Sequence, residues 1–261
     1  MIRLVATDLD DTILPEGTFD LNPEYFEVIR ELKKKGIIFA AASGRHSSSI
    51  RRLFSGLEND MMILAGNGSC VMFRDRVIDE APLDYGLYLE MVSAMKQIDN
   101  SLVLADHDRC VWTDSVKKDM IGWIREGYRV NVKWCEDVAR LKPPILKVAM
   151  HVGDDAARET AILREMFPGR ANIMEAGSSW VDVVANDADK GSAIRRVQEA
   201  FGISREETAA FGDNGNDISM LEQAGYSYAV DNARDEVKAA AREVIGPMRE
   251  DSVLKVLKSL L

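Results

Sequence analysis

Cysteine is scarce: Cys70, Cys110 and Cys135 are the only three in 261 residues, with no CxxC pair. That spacing excludes a disulfide scaffold and a cysteine-rich zinc site, and points to buried thiols. The three histidines, His46, His107 and His151, lie too far apart for a zinc-binding helix and read as surface or core residues. No stretch approaches the ~20 apolar residues that cross a bilayer. The chain opens directly on a strand pattern that leaves no room for a signal peptide, so the expected location is cytoplasmic, with no membrane partner. Positive charge is also in deficit, with 33 Lys and Arg against 43 Asp and Glu, a formal net charge of −10. This balance argues against a nucleic-acid surface, although local cations can reverse the sign inside a pocket. There is no GxxxxGK loop, no internal repeat and no low-complexity tract. Gly66-Asn67-Gly68 lacks the third glycine of a dinucleotide fingerprint.

What remains is an ordinary soluble composition, 46% apolar and 29% charged, long enough for one large domain or two modest ones. The organising stretch is the first fourteen residues. Ile2, Leu4, Val5 and Ala6 form a nearly continuous apolar run, as in a strand buried on both faces of a parallel sheet. It stops at Asp8, Asp10 and Asp11. If the extended geometry persists, Asp8 and Asp10 point to the same side, where two carboxylates repel unless a cation joins them. A hard cation such as magnesium takes such oxygens. The other reading is an acidic turn.

Further along, Asn22-Pro23 caps a helix that Gly36 stops, and Ile37 to Ala42 is a second buried strand. Ser43-Gly44-Arg45 follows at once. A helix through Phe54, a third strand at 61–65 and a hairpin at 70–78 complete the first piece. The texture changes at Ala81-Pro82. Up to about Val181, helices at 85–98 and 115–126 and strands at 101–105, 109–113, 129–133, 145–152 and 171–176 make an α+β insertion of ordinary domain size. Trp180–Ala185 is its last strand or the return path. The alternating pattern then resumes: a helix from Lys190 to Gly202, a strand at 208–211, the turn Gly212-Asp213-Asn214-Gly215-Asn216-Asp217, and three more helices separated by a strand at 226–230. The expected fold is a doubly wound, Rossmann-like parallel-sheet α/β core in two pieces, residues 1–82 and 182–261, with a domain at 83–181 inserted between them.

Asp8/Asp10, Ser43-Gly44 and Asp213/Asp217 each follow a strand, and Lys190 opens the helix before the last of these strands. Ligands of open α/β sheets bind beyond the carboxyl ends of the strands, so independent turns are a poor account of this pattern. Asp8, Asp10 and Asp213 can hold magnesium, while Ser43, the Gly44 N–H and Lys190 can bind phosphate oxygens. The 212–217 turn is not a calcium loop, because Ile218 and Ala224 stand where an EF-hand needs Gly and Glu.

Asp8-Leu9-Asp10-Asp11-Thr12, Ser43-Gly44-Arg45, Lys190-Gly191 and Gly212–Asp217, in that order, resemble the haloacid dehalogenase-like phosphohydrolases, and the insertion resembles the cap of their Cof-type branch. Asp11 replaces a frequent Gly, and Gly66 a commoner Thr or Ser. The resemblance implies a magnesium-dependent phosphatase of small phosphorylated metabolites, sugar phosphates favoured, existing as a monomer or weak homodimer. It implies that Asp8 attacks phosphorus to form an aspartyl-phosphate and that Asp10 serves as acid, then base, its main-chain carbonyl binding magnesium. Asp213 completes the metal site, with Asp217 acting directly or through water. Ser43, Gly44, Lys190 and Asn216 hold phosphoryl oxygens, and Arg45 touches substrate or pairs with a core acid. In the insertion, Asp106-His107-Asp108-Arg109 and Ser178-Ser179-Trp180 are loop candidates for contacting the leaving group. A phosphotransferase or mutase, and a catalytically silent regulator, are the alternative readings.

Overall fold

Strand β1 (Leu4–Thr7) lies inside the sheet with a parallel neighbour on each side and is buried on both faces along its whole length. That is why its apolar run shows no alternation. The computed structural model describes residues 1–261 except Asp75, Asp108 and Gly177. After β1 come α1 (Glu24–Lys34), β2 (Ile38–Ala42), α2 (Ser47–Leu53), β3 (Met61–Ala65), β4 (Cys70–Phe73) and β5 (Arg76–Glu80). Asn22 Oδ1 accepts from Glu24 N at the start of α1, and Tyr25, Val28, Ile29 and Leu32 form its buried face.

Next follow α3 (Tyr85–Lys96), β6 (Leu102–His107), β7 (Cys110–Thr113), α4 (Lys118–Gly127), β8 (Val132–Trp134), β9 (Lys147–His151), α5 (Ala156–Met166), β10 (Ala171–Ala176) and β11 (Trp180–Ala185). The chain ends with α6 (Lys190–Phe201), β12 (Thr208–Gly212), α7 (Ile218–Glu222), β13 (Tyr226–Val230), α8 (Asp235–Ala240), β14 (Glu243–Ile245) and α9 (Ser252–Ser259).

Two compact units result: Met1–Asp79 with Asp189–Leu261, and Glu80–Ala188. The core unit is built on a sheet in the order β14-β13-β12-β1-β2-β3-β4-β5, parallel from β14 to β3. Register places Thr7 beside both Ala41 and Phe211, so Asp8, Ser43 and Asp213 all emerge at one edge.

The inserted unit has its own sheet, β10-β11-β9-β6-β7-β8, antiparallel apart from the β7–β8 pair. One sheet face packs Val103, Ala105, Val148, Met150, Val181 and Val183 against residues of α3 and α5. The opposite face packs Leu102, Leu104 and Ala149 against Ile124 of α4. All four tryptophans, Trp112, Trp123, Trp134 and Trp180, belong to this unit.

The unit boundaries fall at 79/80 and 188/189 rather than 82/83 and 181/182. Ala81 packs with Val184, Ala185 and Ala188, which draws these residues into the insertion. Trp180–Ala185 is a full strand between β10 and β9 rather than a return path. Helix α5 and strand β14 had no counterpart in the sequence reading. The buried face of α5 carries Glu159 and Thr160 beside Ala156 and Leu163, and β14 is a three-residue edge strand, so neither has a clear apolar period.

Candidate active site

The extended backbone of β1 ends at Thr7, and the two following carboxylates go to different partners. Lys190 Nζ donates to Asp8 Oδ1 at 2.5 Å and to Asp217 Oδ1 at 2.6 Å. Asp10 is instead clasped by Arg45: Nε to Oδ2 at 2.8 Å and Nη2 to Oδ1 at 2.6 Å. The two carboxylates thus pair with different cations, while Asp10 stays near enough to add to the negative charge at Asp8. The chain turns through Asp11 at φ 56°, in the left-handed region. This is the conformation for which glycine is favoured and which Asp tolerates, so the replaced Gly is accounted for.

Helix α6 delivers the lysine. The Asp189 carboxylate accepts from Ser192 N at 2.8 Å, and Ser192 Oγ accepts from Asp189 N at 3.0 Å, a reciprocal cap that fixes Lys190 at the first helical position. Gly191 allows the next approach: a Cβ there would lie 2.3 Å from the Ser219 carbonyl oxygen. Lys190 is 1% exposed. Burial alone would favour its neutral amine, but Asp217 and Asp8 outweigh that and raise its pKa.

Asp8, Asp213 and Asp217 each offer an oxygen, and these lie within 4.8 Å of one another. Asp217 is fully buried and uses both oxygens: Oδ1 for Lys190, Oδ2 for the N–H groups of Asp213 and Asn214, each at 3.0 Å. Thr12 Oγ1, which had no assigned role, donates to Asp213 Oδ1 at 2.8 Å and lies 3.4 Å from Asp8 Oδ2. Burial raises the pKa of Asp8 well above the ordinary value, Lys190 opposes this, and Asp217, Asp213 and Asp10 add to it. Burial, then Asp217, pushes Asp213 up to about 6. Three carboxylates against one ammonium leave an excess of negative charge among hard oxygen donors. Such a set fits a divalent magnesium-type cation. Asp8 and Asp213 would hold it, with Asp217 bracing them through Lys190 and the main chain. The Asp10 carboxylate stands outside the three; its expected contribution is its main-chain carbonyl.

Ser43 and Gly44 follow β2. Ser43 is buried, and its Oγ accepts from Arg45 N at 3.1 Å. Arg45 takes the second of its two readings: besides Asp10 it donates to Thr18 O at 2.9 Å and lies over the Phe19 ring, its side chain 6% exposed. Asn67 is a residue the sequence reading left without a role. It sits at φ 55°, buried, its N–H donating to Ser43 O at 3.0 Å. Its Oδ1 accepts from Asn216 Nδ2 at 3.0 Å. A Cβ on Gly44 would approach its amide atoms to 3.1 Å. A buried Asn within a Gly-Asn-Gly turn was the available signal. Gly66, the other departure, is also at positive φ, 56°, and a Cβ there would meet Ser69 Oγ at 2.4 Å.

In the insertion, Asp106 and His107 lie in β6 rather than a loop, and Trp180 begins β11 with its Nε1 donating to Tyr128 Oη at 3.0 Å. Arg109 is exposed in the β6–β7 turn; Asp108 lies outside the described residues.

Among the described residues no helix is long and apolar enough to cross a membrane. The chain is 25% identical over 261 residues to the 5-amino-6-(5-phospho-D-ribitylamino)uracil phosphatase of Escherichia coli, covering 100% of this chain and 96% of that protein. It is 27% identical over 285 residues to the pyridoxal phosphate phosphatase of the same organism, covering 99% and 98%. A solved structure from Eubacterium rectale is 32% identical with a TM-score of 0.90, covering 100% of this chain and 99% of that one. These relatives bear out the expectation of a phosphoric monoester hydrolase. Residues 5–257 match the family model for haloacid dehalogenase-like hydrolases, and the chain belongs to that family.

Proposed function

We propose that this protein is a magnesium-dependent phosphatase of small phosphorylated metabolites, with sugar phosphates the favoured class, acting through an aspartyl-phosphate. The observation that carries the reading is the buried Asp8–Lys190–Asp217 chain beside Asp213, at the carboxyl ends of the parallel strands β1 and β12. An Asp8 oxygen bonds to phosphorus as the bond from phosphorus to the leaving oxygen breaks. Asp10, aimed by Arg45, passes a proton to that oxygen, then takes one from the water that releases phosphate. Ser43 accepts a hydrogen bond from Arg45 N, which leaves its hydroxyl hydrogen to donate to a phosphoryl oxygen, next to the Gly44 N–H. Lys190 and Asn216 add donors where charge accumulates during transfer. When bound by Asp8 and Asp213, magnesium supplies charge neutralisation at the transferring group. In this reading Arg45 holds Asp10.

A screen of phosphorylated metabolites for free phosphate, with magnesium and with chelator, tests this reading. Release that requires magnesium is expected. No release from any substrate, or transfer to an acceptor without free phosphate, would overturn it.

A further inference from the structure

We propose that Arg196 is a positioning residue for the phosphate-holding turn, tying that turn to the two points where the chain leaves and re-enters the core unit. The inference rests on the phosphatase reading above. Asn67 is the centre of the turn: its N–H donates to Ser43 O, Gly66 N–H donates to Arg45 O at 3.0 Å, and its side chain accepts from Asn216. Small displacements of Asn67 therefore reach two of the groups assigned to phosphoryl oxygens.

The turn is held from behind by α6. Gly68 presses so closely on the start of this helix that a Cβ would lie 2.2 Å from the Asp189 carbonyl oxygen and 3.1 Å from Ala193 Cβ. Arg196, six residues beyond Lys190, spreads its guanidinium over three partners. Nη2 donates to Gly68 O at 2.7 Å, Nη1 donates to Ser192 Oγ at 3.3 Å, and Nε pairs with Asp79. Each partner has a distinct place. Gly68 follows Asn67, Ser192 is half of the cap that fixes Lys190, and Asp79 is the last residue of the first core piece, as Asp189 is the first of the second. A planar fork that is rigid across three such contacts transmits position, which a single-point lysine ammonium does less well. The side chain is 25% exposed as a whole, but the paired Nε and the Asp79 Oδ2 are buried, so losing the arginine also costs stability. The positioning role is therefore read in phosphate binding, with the fold of each variant checked separately.

The test uses the full chain with magnesium, p-nitrophenyl phosphate as substrate and inorganic phosphate as competing product. Arg196→Met should raise both the KM for the ester and the Ki for phosphate by about tenfold, with kcat within about twofold, as expected for loosened positioning of binding groups. Arg196→Lys should recover part of the loss through the Gly68 carbonyl. Asn67→Gly removes the Asn216 contact but keeps the left-handed turn and its main-chain bond to Ser43, so Arg196→Met in that background should add clearly less than it does alone. Unchanged KM and Ki in Arg196→Met, or multiplicative losses in the double variant, would overturn the proposal. Should Arg196→Met fail to fold, Asp79→Asn decides: a smaller rise in KM and Ki, about threefold, supports it, and no rise overturns it. Wild-type protein that neither cleaves the ester nor binds phosphate would overturn the phosphatase reading and this assignment together. An active wild type with unaffected variants overturns this assignment alone.

Discussion

Both units bury charge, but they arrange it differently. In the core unit Asp8, Lys190 and Asp217 converge at one edge of the sheet, from positions far apart in the chain. In the inserted unit Lys147 pairs with Asp182 at 2.9 Å, and Asp106 lies beside Lys147 in register, so these groups are spread over a sheet face. The difference follows from strand direction. Parallel strands bring all their carboxyl ends to one edge, so residues after β1, β2 and β12 meet without special loops. Antiparallel strands alternate their ends, and neighbours share only side chains standing on the face. A reacting centre needs groups arriving from several directions, which the first arrangement supplies.

The comparison breaks most sharply at Asp8. Asp8→Asn should lower turnover by at least about a thousandfold while the protein stays folded. Phosphate release measured beside circular dichroism checks this, and substantial residual turnover would remove Asp8 from the chemistry. Next comes Lys190→Met, which strands two buried carboxylates. Magnesium-free protein should lose roughly 3–5 kcal/mol in urea unfolding, and turnover should fall about a hundredfold. A neutral outcome would place the lysine with ordinary structural pairs such as Lys147–Asp182.

The metal pair should separate two carboxylates that sequence alone treats alike. Asp213→Asn should raise the magnesium needed for half-maximal activity at least about tenfold, with a small effect on stability. Asp217→Asn should do the reverse, since its oxygens already serve Lys190 and two main-chain N–H groups. Exchange of these two phenotypes would invert the assignment.

A smaller effect is expected in pH dependence. Asp213 has its pKa raised from 3.8 to about 6, so the metal-free folded state binds this proton more tightly than the unfolded chain. Its contribution favours folding below about 4 and is lost as pH rises through about 6. Asp213→Asn should therefore gain on wild type, by a few degrees in Tm, between pH 4 and pH 7 without magnesium. A gap that stays constant or narrows with pH would contradict the shift. The smallest effect should come from the inserted unit. Arg109→Asn, which tolerates the φ of 57°, should leave generic ester turnover alone but shift preference among phosphorylated metabolites by up to about tenfold. Uniform losses on every substrate would deny Arg109 a part in selection.

Much of the core was legible because parallel strands announce themselves as uninterrupted apolar runs and because Asp8, Lys190 and Asp213 sit beside them. Helix α6 was readable from Lys190 to Gly202 since its cap and stop are local signals. Which acid Arg45 clasps was not, because Asp10 stands 35 residues away in the chain. Asn67 and Arg196 were hidden for the same reason: their partners are set by close backbone approaches that no periodicity reports. The domain limits shifted because β11 is claimed by pairing across the inserted sheet, a long-range effect.

The placement of all four tryptophans in Glu80–Ala188 makes indole emission a private reporter of that unit. The core unit carries none, so an emission transition during denaturation follows the insertion alone, while far-ultraviolet dichroism sums both. If the two melts diverge, the units unfold separately and can be ranked in stability without cutting the chain. If they coincide, the two units unfold as one cooperative body.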